Sequence, residues 1–348
     1  MNILLDAPWL DRSGAPLALL RLARDLARRH RVAIVPAPSG EQTLVPDFRA
    51  AGVRILDRTA VPGDHDVLLA ATVFRLQLVA MAAERMATVV WVQEPALGRR
   101  IVVENPDAAR ALRRATRVVF VSDHQARDIY AGLVAPGRWE VVPIGIDVPA
   151  APPARPPRRS GRLDLVQVAT IEPRKGQHVA LQALDRLDDP NLRLALVGAE
   201  RPGPAAIGIR AMLAARPALG DRVEIVGPLA PDAVLGRWAA ADAALFPTLD
   251  DNLPTALLEA MAAGCPVVAS ALPAIAEAIE DGVTGLLVPP GDPLALAAAI
   301  ARVRDDPALA ARLSAAGRVM VARRFTLHDH VAAMEMALQR AVDEGPRR

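Results

Sequence analysis

The stretch LDLVQVATIEPRKGQHVALQALDRL at residues 163–187 decides how this chain folds. An apolar run from Leu163 to Ala169 leads into the turn Ile171-Glu172-Pro173-Arg174-Lys175-Gly176-Gln177, and a helical pattern from His178 to Leu187 leads out. Such a run, bounded by turn residues and lacking polar alternation, suits a strand covered on both faces, as in a parallel sheet flanked by helices. Lys175 is the only lysine in 348 residues, although Lys and Arg together number 41. Two adjacent cations at a strand-to-helix turn offer a socket for an anion, because a helix start adds unpaired N–H groups and the positive end of its dipole. Taken alone, the heptapeptide is equally readable as a solvated surface pair.

The same strand–helix alternation continues outward in both directions. Upstream lie short apolar runs at 3–5, 32–35, 53–56, 67–70, 89–92, 118–121 and 141–142, with amphipathic helical stretches at 15–29 and 106–114. Downstream lie runs at 192–197, 223–226, 243–246, 267–269 and 286–288. Between the two series sits PAAPPARPPRRSG at 149–161, whose proline density forbids regular helix or paired strand and implies a stiff linker. The expected organisation is therefore α/β, with two doubly wound domains facing a cleft. Residues 1–149 form the first, 150–162 the linker and 163–325 the second. Residues 326–348 form a C-terminal helix, with Val331, Met334, Met336 and Leu338 at helical spacing, that packs back on the first domain. Ligands of such folds bind at the carboxyl ends of the strands, which puts the turn 172–177 at the mouth of the site.

Composition narrows the function. The chain is 52% apolar and 23% charged, as a globular protein is, and its 3% aromatic content argues against stacking platforms for nucleic acid. The net charge of +2 hides an asymmetry: residues 1–160 hold 22 arginines against 16 acids, and the remainder holds 19 cations against 23 acids. A basic first half can attract an anionic partner or lipid, although ordinary surface scatter explains it as well. The single cysteine, Cys265, excludes an intrachain disulfide and reads as a buried thiol at a strand entry. The N-terminus lacks the basic and apolar regions of a signal peptide, and no apolar stretch is long enough to span a bilayer. The expected location is cytoplasmic.

A second informative stretch is FPTLDDNLPTALLEAM at 246–261. It leaves a strand, crosses a polar loop and opens a helix near Pro254 or Thr255, with Asp251 or Asn252 as candidate caps. Glu259 lies one turn into that helix, where a carboxylate can accept hydrogen bonds from two vicinal hydroxyls. Simple helix capping, with Glu259 as a solvated side chain, explains the same residues.

Together the two stretches resemble the retaining GT-B glycosyltransferases of family four, the glycosyl transferases group 1. The resemblance runs through Ser13-Gly14-Ala15-Pro16, VPIGID at 142–147, EPRKGQ at 172–177, Leu196-Val197-Gly198 and Val226-Gly227. It is strongest over DNLPTALLE at 251–259, AMAAGCPVVAS at 260–270 and DGVTGLLVPPGD at 281–292. It implies a GT-B fold and a nucleotide diphosphate sugar as donor. Ser13 and Gly14 lie close to the donor diphosphate, and Arg174 and Lys175 neutralise it. Asp251 faces the donor sugar, with Asn252, Leu253 and Thr255 in the same donor loop, and Glu259 binds the ribose.

Two positions depart from the family pattern. Asp251 stands where the family's paired-glutamate motif has its first acid, one carbon shorter, which bears on the choice of donor sugar. Gln93, in Val90-Trp91-Val92-Gln93-Glu94-Pro95, stands where many members present a histidine, and an amide is no general base. Glu94 is the acceptor-side charge beside it. Fixed cations stabilise the charge growing on a departing diphosphate, so no cofactor and no metal is expected. Asp64-His65-Asp66 matches the Asp-x-Asp metal motif of another glycosyltransferase fold but reads as a strand-entry turn.

Rival readings are a pyridoxal enzyme using the lone lysine, a nucleotide-sugar epimerase of the same fold and a non-catalytic nucleotide-sugar-binding protein. A dinucleotide oxidoreductase is excluded by the absence of G-x-G-x-x-G after a strand. The expected partners are a nucleotide diphosphate sugar, an unidentified acceptor and, through Arg21, Arg24 and Arg28 on the first helix, a peripheral contact with anionic membrane. No nucleic acid is expected.

Overall fold

The computed structural model describes residues 1–36, 42–56, 64–154 and 161–346. Residues 155–160 of the expected linker lie outside the described residues. The chain divides into two compact units, Met1–Ile146 with Phe325–Arg348, and Asp147–Arg324.

In the first unit the strands are β1 (Asn2–Ala7), β2 (Arg31–Pro36), β3 (Arg54–Ile55), β4 (Val67–Ala70), β5 (Ala87–Val92), β6 (Arg117–Phe120) and β7 (Trp139–Val141). They form one parallel sheet in the order β3-β2-β1-β4-β5-β6-β7. The second unit contains β8 (Leu163–Val168), β9 (Leu192–Val197), β10 (Val223–Gly227), β11 (Ala243–Phe246), β12 (Val267–Ser270) and β13 (Leu286–Val288). Their order is β10-β9-β8-β11-β12-β13, again parallel throughout. Every residue of β4, β5, β11 and β12 is buried, which is why these strands read as unbroken apolar runs. The edge strand β3 is only Arg54–Ile55, shorter than the run at 53–56 suggests. In each sheet the strand order reverses beside the first strand of the unit, between β1 and β4 and between β8 and β11. A crevice opens at such a switch point, at the carboxyl ends of the strands.

The C-terminal helix, Leu327–Glu344, belongs to the first unit and buries Val331, Met334 and Leu338. Met336 is 56% exposed, correcting its expected place on the packed face. Two residues beyond Met334, it lies more than half a turn round the helix and points away. Thr326 caps the helix by accepting from the Asp329 amide at 3.1 Å. The chain enters the helix beside Ile146: Ile146 N donates to Phe325 O (2.9 Å), and Leu327 N donates to Ile146 O (2.8 Å). Gly145 permits this crossing, since a Cβ there would sit 2.4 Å from Thr326 O.

His330 pins the same helix. Its Nδ1 donates to Pro143 O at 2.8 Å, and its ring stands 5.3 Å from that of Trp91. Burial pushes the imidazole pKa down to about 4, against the pull of that hydrogen bond. A histidine depressed in the folded state binds its proton first when unfolded. The stability it contributes is therefore complete above its ordinary pKa of about 6.5 and is lost as pH falls towards 4. We expect acidification across this window to cost about 3 kcal/mol through His330 alone. Urea unfolding near pH 7 and near pH 4 measures the loss, and His330→Gln should remove this component of the pH slope. An unchanged slope would assign it to other groups.

Asp64-His65-Asp66 is the strand-entry turn expected. The Asp66 carboxylate accepts from Asn2 N (2.7 Å), Asp66 N donates to Asn2 O (2.9 Å), and β4 begins at the next residue. Arg24 on the first helix pairs with Asp25 at 3.6 Å; Arg28, expected on that helix, lies in the turn past its last residue, Leu26, and pairs with Asp25 at 2.9 Å. Among the described residues no helix is long and apolar enough to cross a membrane.

Candidate functional site

In the second unit, the two strands flanking the switch point carry the candidate residues. After β8 the chain makes a single 3-10 turn, Pro173–Lys175, before the helix Gln177–Leu187 begins. The turn engages two of its own amides: Lys175 N donates to Glu172 O (3.1 Å) and Gly176 N to Pro173 O (3.3 Å). The side chains of Arg174 and Lys175, rather than those amides, are what the turn offers an anion. Gly176 has φ of 68°, and a Cβ there would lie 1.9 Å from Pro247 O. This contact brings the basic turn against the loop that follows β11. The Arg174 carbonyl fastens the two together by accepting from Leu249 N (2.7 Å) and Thr248 Oγ1 (2.9 Å). Gln167 Nε2 holds the other side, donating to Lys175 O at 2.7 Å.

Asp251 meets both cations. Lys175 Nζ pairs with its Oδ2, and Arg174 Nη1 stands 3.4 Å from its Oδ1. Arg174 Nη2 reaches Glu172 at 2.7 Å. Burial pushes the Asp251 carboxyl up, but Lys175 and Arg174 outweigh it and hold the group below the usual carboxylate range. Its neighbour Asp250 is raised, by burial first and by the Asp251 charge second.

The helix Thr255–Ala262 opens on Pro254 with no side-chain cap, which corrects the expectation that Asp251 or Asn252 caps it. Asp251 is turned to the basic pair instead, where two full charges outbid a helix-end amide. Asn252 and Leu253 are buried, while Thr255 and Glu259 are half-buried. Thr255 and Glu259 stand four residues apart on one face of the helix.

In the first unit, Ser13 and Gly14 start the helix Gly14–Leu26 that follows β1. Ser13 N donates to Asp11 Oδ1 at 3.1 Å, and the Ser13 hydroxyl bonds the same oxygen. Gln93 and Glu94 follow β5, at the carboxyl end of the sheet. Gln93 Nε2 donates to Ala71 O (3.1 Å). The Glu94 carboxylate accepts from the Thr72 hydroxyl, from Val73 N (3.3 Å) and from Gln93 N (3.2 Å). Burial pushes its carboxyl up against these bonds. Among the described residues no cluster of metal-ligating side chains is present.

Residues 162–306, nearly the whole second unit, match the family model for glycosyl transferases group 1. Over that stretch the chain is similar to the glycosyl transferases group 1. This chain is 36% identical over 213 residues to the D-inositol 3-phosphate glycosyltransferase of Streptosporangium roseum, covering 57% of this chain and 48% of that protein. It is 32% identical over 240 residues to the 2-deoxystreptamine glucosyltransferase of Streptomyces kanamyceticus, covering 65% and 61%. The chain thus spans about half the length of the curated relatives it matches. Its fold superposes on Anabaena HepE in complex with UDP-glucose with a TM-score of 0.84, covering 97% and 99% of the two chains. At 20% identity that likeness speaks for the GT-B fold alone.

Several polar residues near these strand ends carried no assignment in the sequence. Glu172 lies inside the quoted turn, and Thr248 lies two residues past β11. Both stand at carboxyl strand ends, which was the available signal. Asp6 is fully buried near the end of β1 and stands 2.7 Å from Arg75 Nη1. Burial pushes its carboxyl up to about 7, and Arg75 pulls it back. The partners are 69 positions apart, so no local pattern links them.

Proposed function

We propose that the protein is a retaining glycosyltransferase that moves a sugar from a nucleoside diphosphate sugar to an acceptor. The observation that carries this reading is the meeting of Arg174 and Lys175 with the Asp251 loop at the switch point of the second sheet. Breaking a sugar–phosphate bond leaves growing negative charge on the departing diphosphate. Arginine holds phosphate oxygens bidentately and lysine supplies a compact charge, so the pair stabilises the separating state more than the bound donor. Retention follows if the acceptor enters on the face that the diphosphate leaves, with no protein nucleophile. In this reading Glu259 takes the ribose hydroxyls, and Asp251, Asn252, Leu253 and Thr255 line the donor. Ser13 and Gly14 approach the diphosphate, while Gln93 and Glu94 belong to the acceptor side. The family match, the named glycosyltransferase relatives and the UDP-glucose bound by HepE support the same donor class.

The test is a panel of nucleoside diphosphate sugars screened by thermal shift and by release of nucleoside diphosphate. One donor class should raise the melting temperature. Glu259→Ala should weaken that donor about 10-fold, the worth of hydrogen bonds to a charged group, while leaving inorganic pyrophosphate binding unchanged. Stabilisation by no member of the panel would sink the donor reading. Equal loss for donor and pyrophosphate would remove Glu259 from the ribose.

A further inference from the structure

The paired cations that should meet the donor are already neutralised. Asp251 presents one carboxylate oxygen to Lys175 and the other to Arg174, and its Oδ1 also accepts from Asn252 N at 3.2 Å. Glu172 takes the remaining arm of Arg174. The side chains of Asp251 and Lys175 are 13% and 16% exposed, so water does little to screen this contact. A carboxylate bound on two oxygens by an arginine and a lysine reproduces how those side chains hold a phosphate. We infer that Asp251 is a placeholder anion: it holds Lys175 and Arg174 together and must yield Lys175 before a diphosphate can take it.

This inference rests on the donor-site reading above and adds an exchange step to it. Anion binding becomes a swap of one counter-charge for another rather than capture by two open cations. The swap strips the mostly buried Asp251 carboxylate of its main partner, so the group then needs a new hydrogen-bond donor. A bare anion offers none. A donor whose sugar hydroxyl reaches Asp251 does, and sugar recognition thereby helps release Lys175.

Calorimetry with inorganic pyrophosphate tests the exchange on the full chain. Asp251→Asn should bind pyrophosphate about 10-fold tighter than the wild type, because a unit negative charge at contact distance from the anion is gone. Asp250→Asn controls for charge alone, since Asp250 is the neighbouring acid and its carboxylate is not the one bridging the two cations. Equal tightening by both variants, or none by Asp251→Asn, overturns the placeholder. Absence of pyrophosphate binding in the wild type and both variants instead overturns the anion site itself, and the placeholder with it. A second measurement needs no variant. Because the chain has one lysine, selective 15N-lysine labelling gives a single Nζ signal. Saturating pyrophosphate should shift it, and a signal that stays put while pyrophosphate binds overturns the exchange.

Discussion

If the chain transfers a sugar as proposed, Lys175→Ala and Arg174→Ala should each slow transfer by an amount worth about 2–4 kcal/mol of transition-state stabilisation, by analogy with the loss of one oxyanion donor. The bound diphosphate is already anionic, but its further charge develops as the sugar–phosphate bond opens, so kcat should fall in addition to any rise in KM. The two variants differ in side effects. Arg174 is fastened through its backbone carbonyl, which alanine keeps, and its side chain is 40% exposed, so Arg174→Ala should stay folded. Lys175→Ala leaves the mostly buried Asp251 short of its main counter-charge, and breaking such a pair costs up to about 3–5 kcal/mol of stability. The double variant Lys175→Met with Asp251→Asn separates the effects. It should recover thermal stability while transfer stays slow. Wild-type transfer rates in both single variants would remove the basic pair from the chemistry.

The strands were legible because parallel strands covered on both faces need apolar side chains at every position. β4, β9, β11 and β13 begin and end where the apolar runs do. The other strands depart from their runs by one or two residues at an end, and β10 runs on to Gly227 through a register shift. Polar tertiary contacts were not legible. Lys175 and Asp251 are 76 positions apart, Thr72 and Glu94 are 22 apart, and His330 reaches Pro143 across 187. Such partners share no periodicity, and only the folded sheets bring the carboxyl ends of their strands together. Local chemistry also misled where charge outweighed capping. Asp251 and Asn252 precede a helix and have capping side chains, yet Pro254 opens that helix uncapped while Asp251 answers Lys175.

Gly176→Ala should lose both stability and transfer, and by more than its one methyl group suggests. At φ of 68° an alanine residue is strained by about 1–2 kcal/mol. Its Cβ would also stand 1.9 Å from Pro247 O, a backbone atom with no rotamer to change, so the turn or the loop must move. Together these effects should cost roughly 3–5 kcal/mol of unfolding free energy. What moves is the junction that sets Arg174 and Lys175 beside Asp251, and a misplacement of about 1 Å at such a site costs about 100-fold in rate. Gly132→Ala supplies the comparison. Its φ is 75°, nearly the same, but nothing lies within 4 Å of the position a Cβ would take. It should therefore show the backbone strain alone and keep its transfer rate. Should the two variants unfold at the same denaturant concentration and transfer equally well, the approach of Gly176 to Pro247 would not be what sets the basic turn.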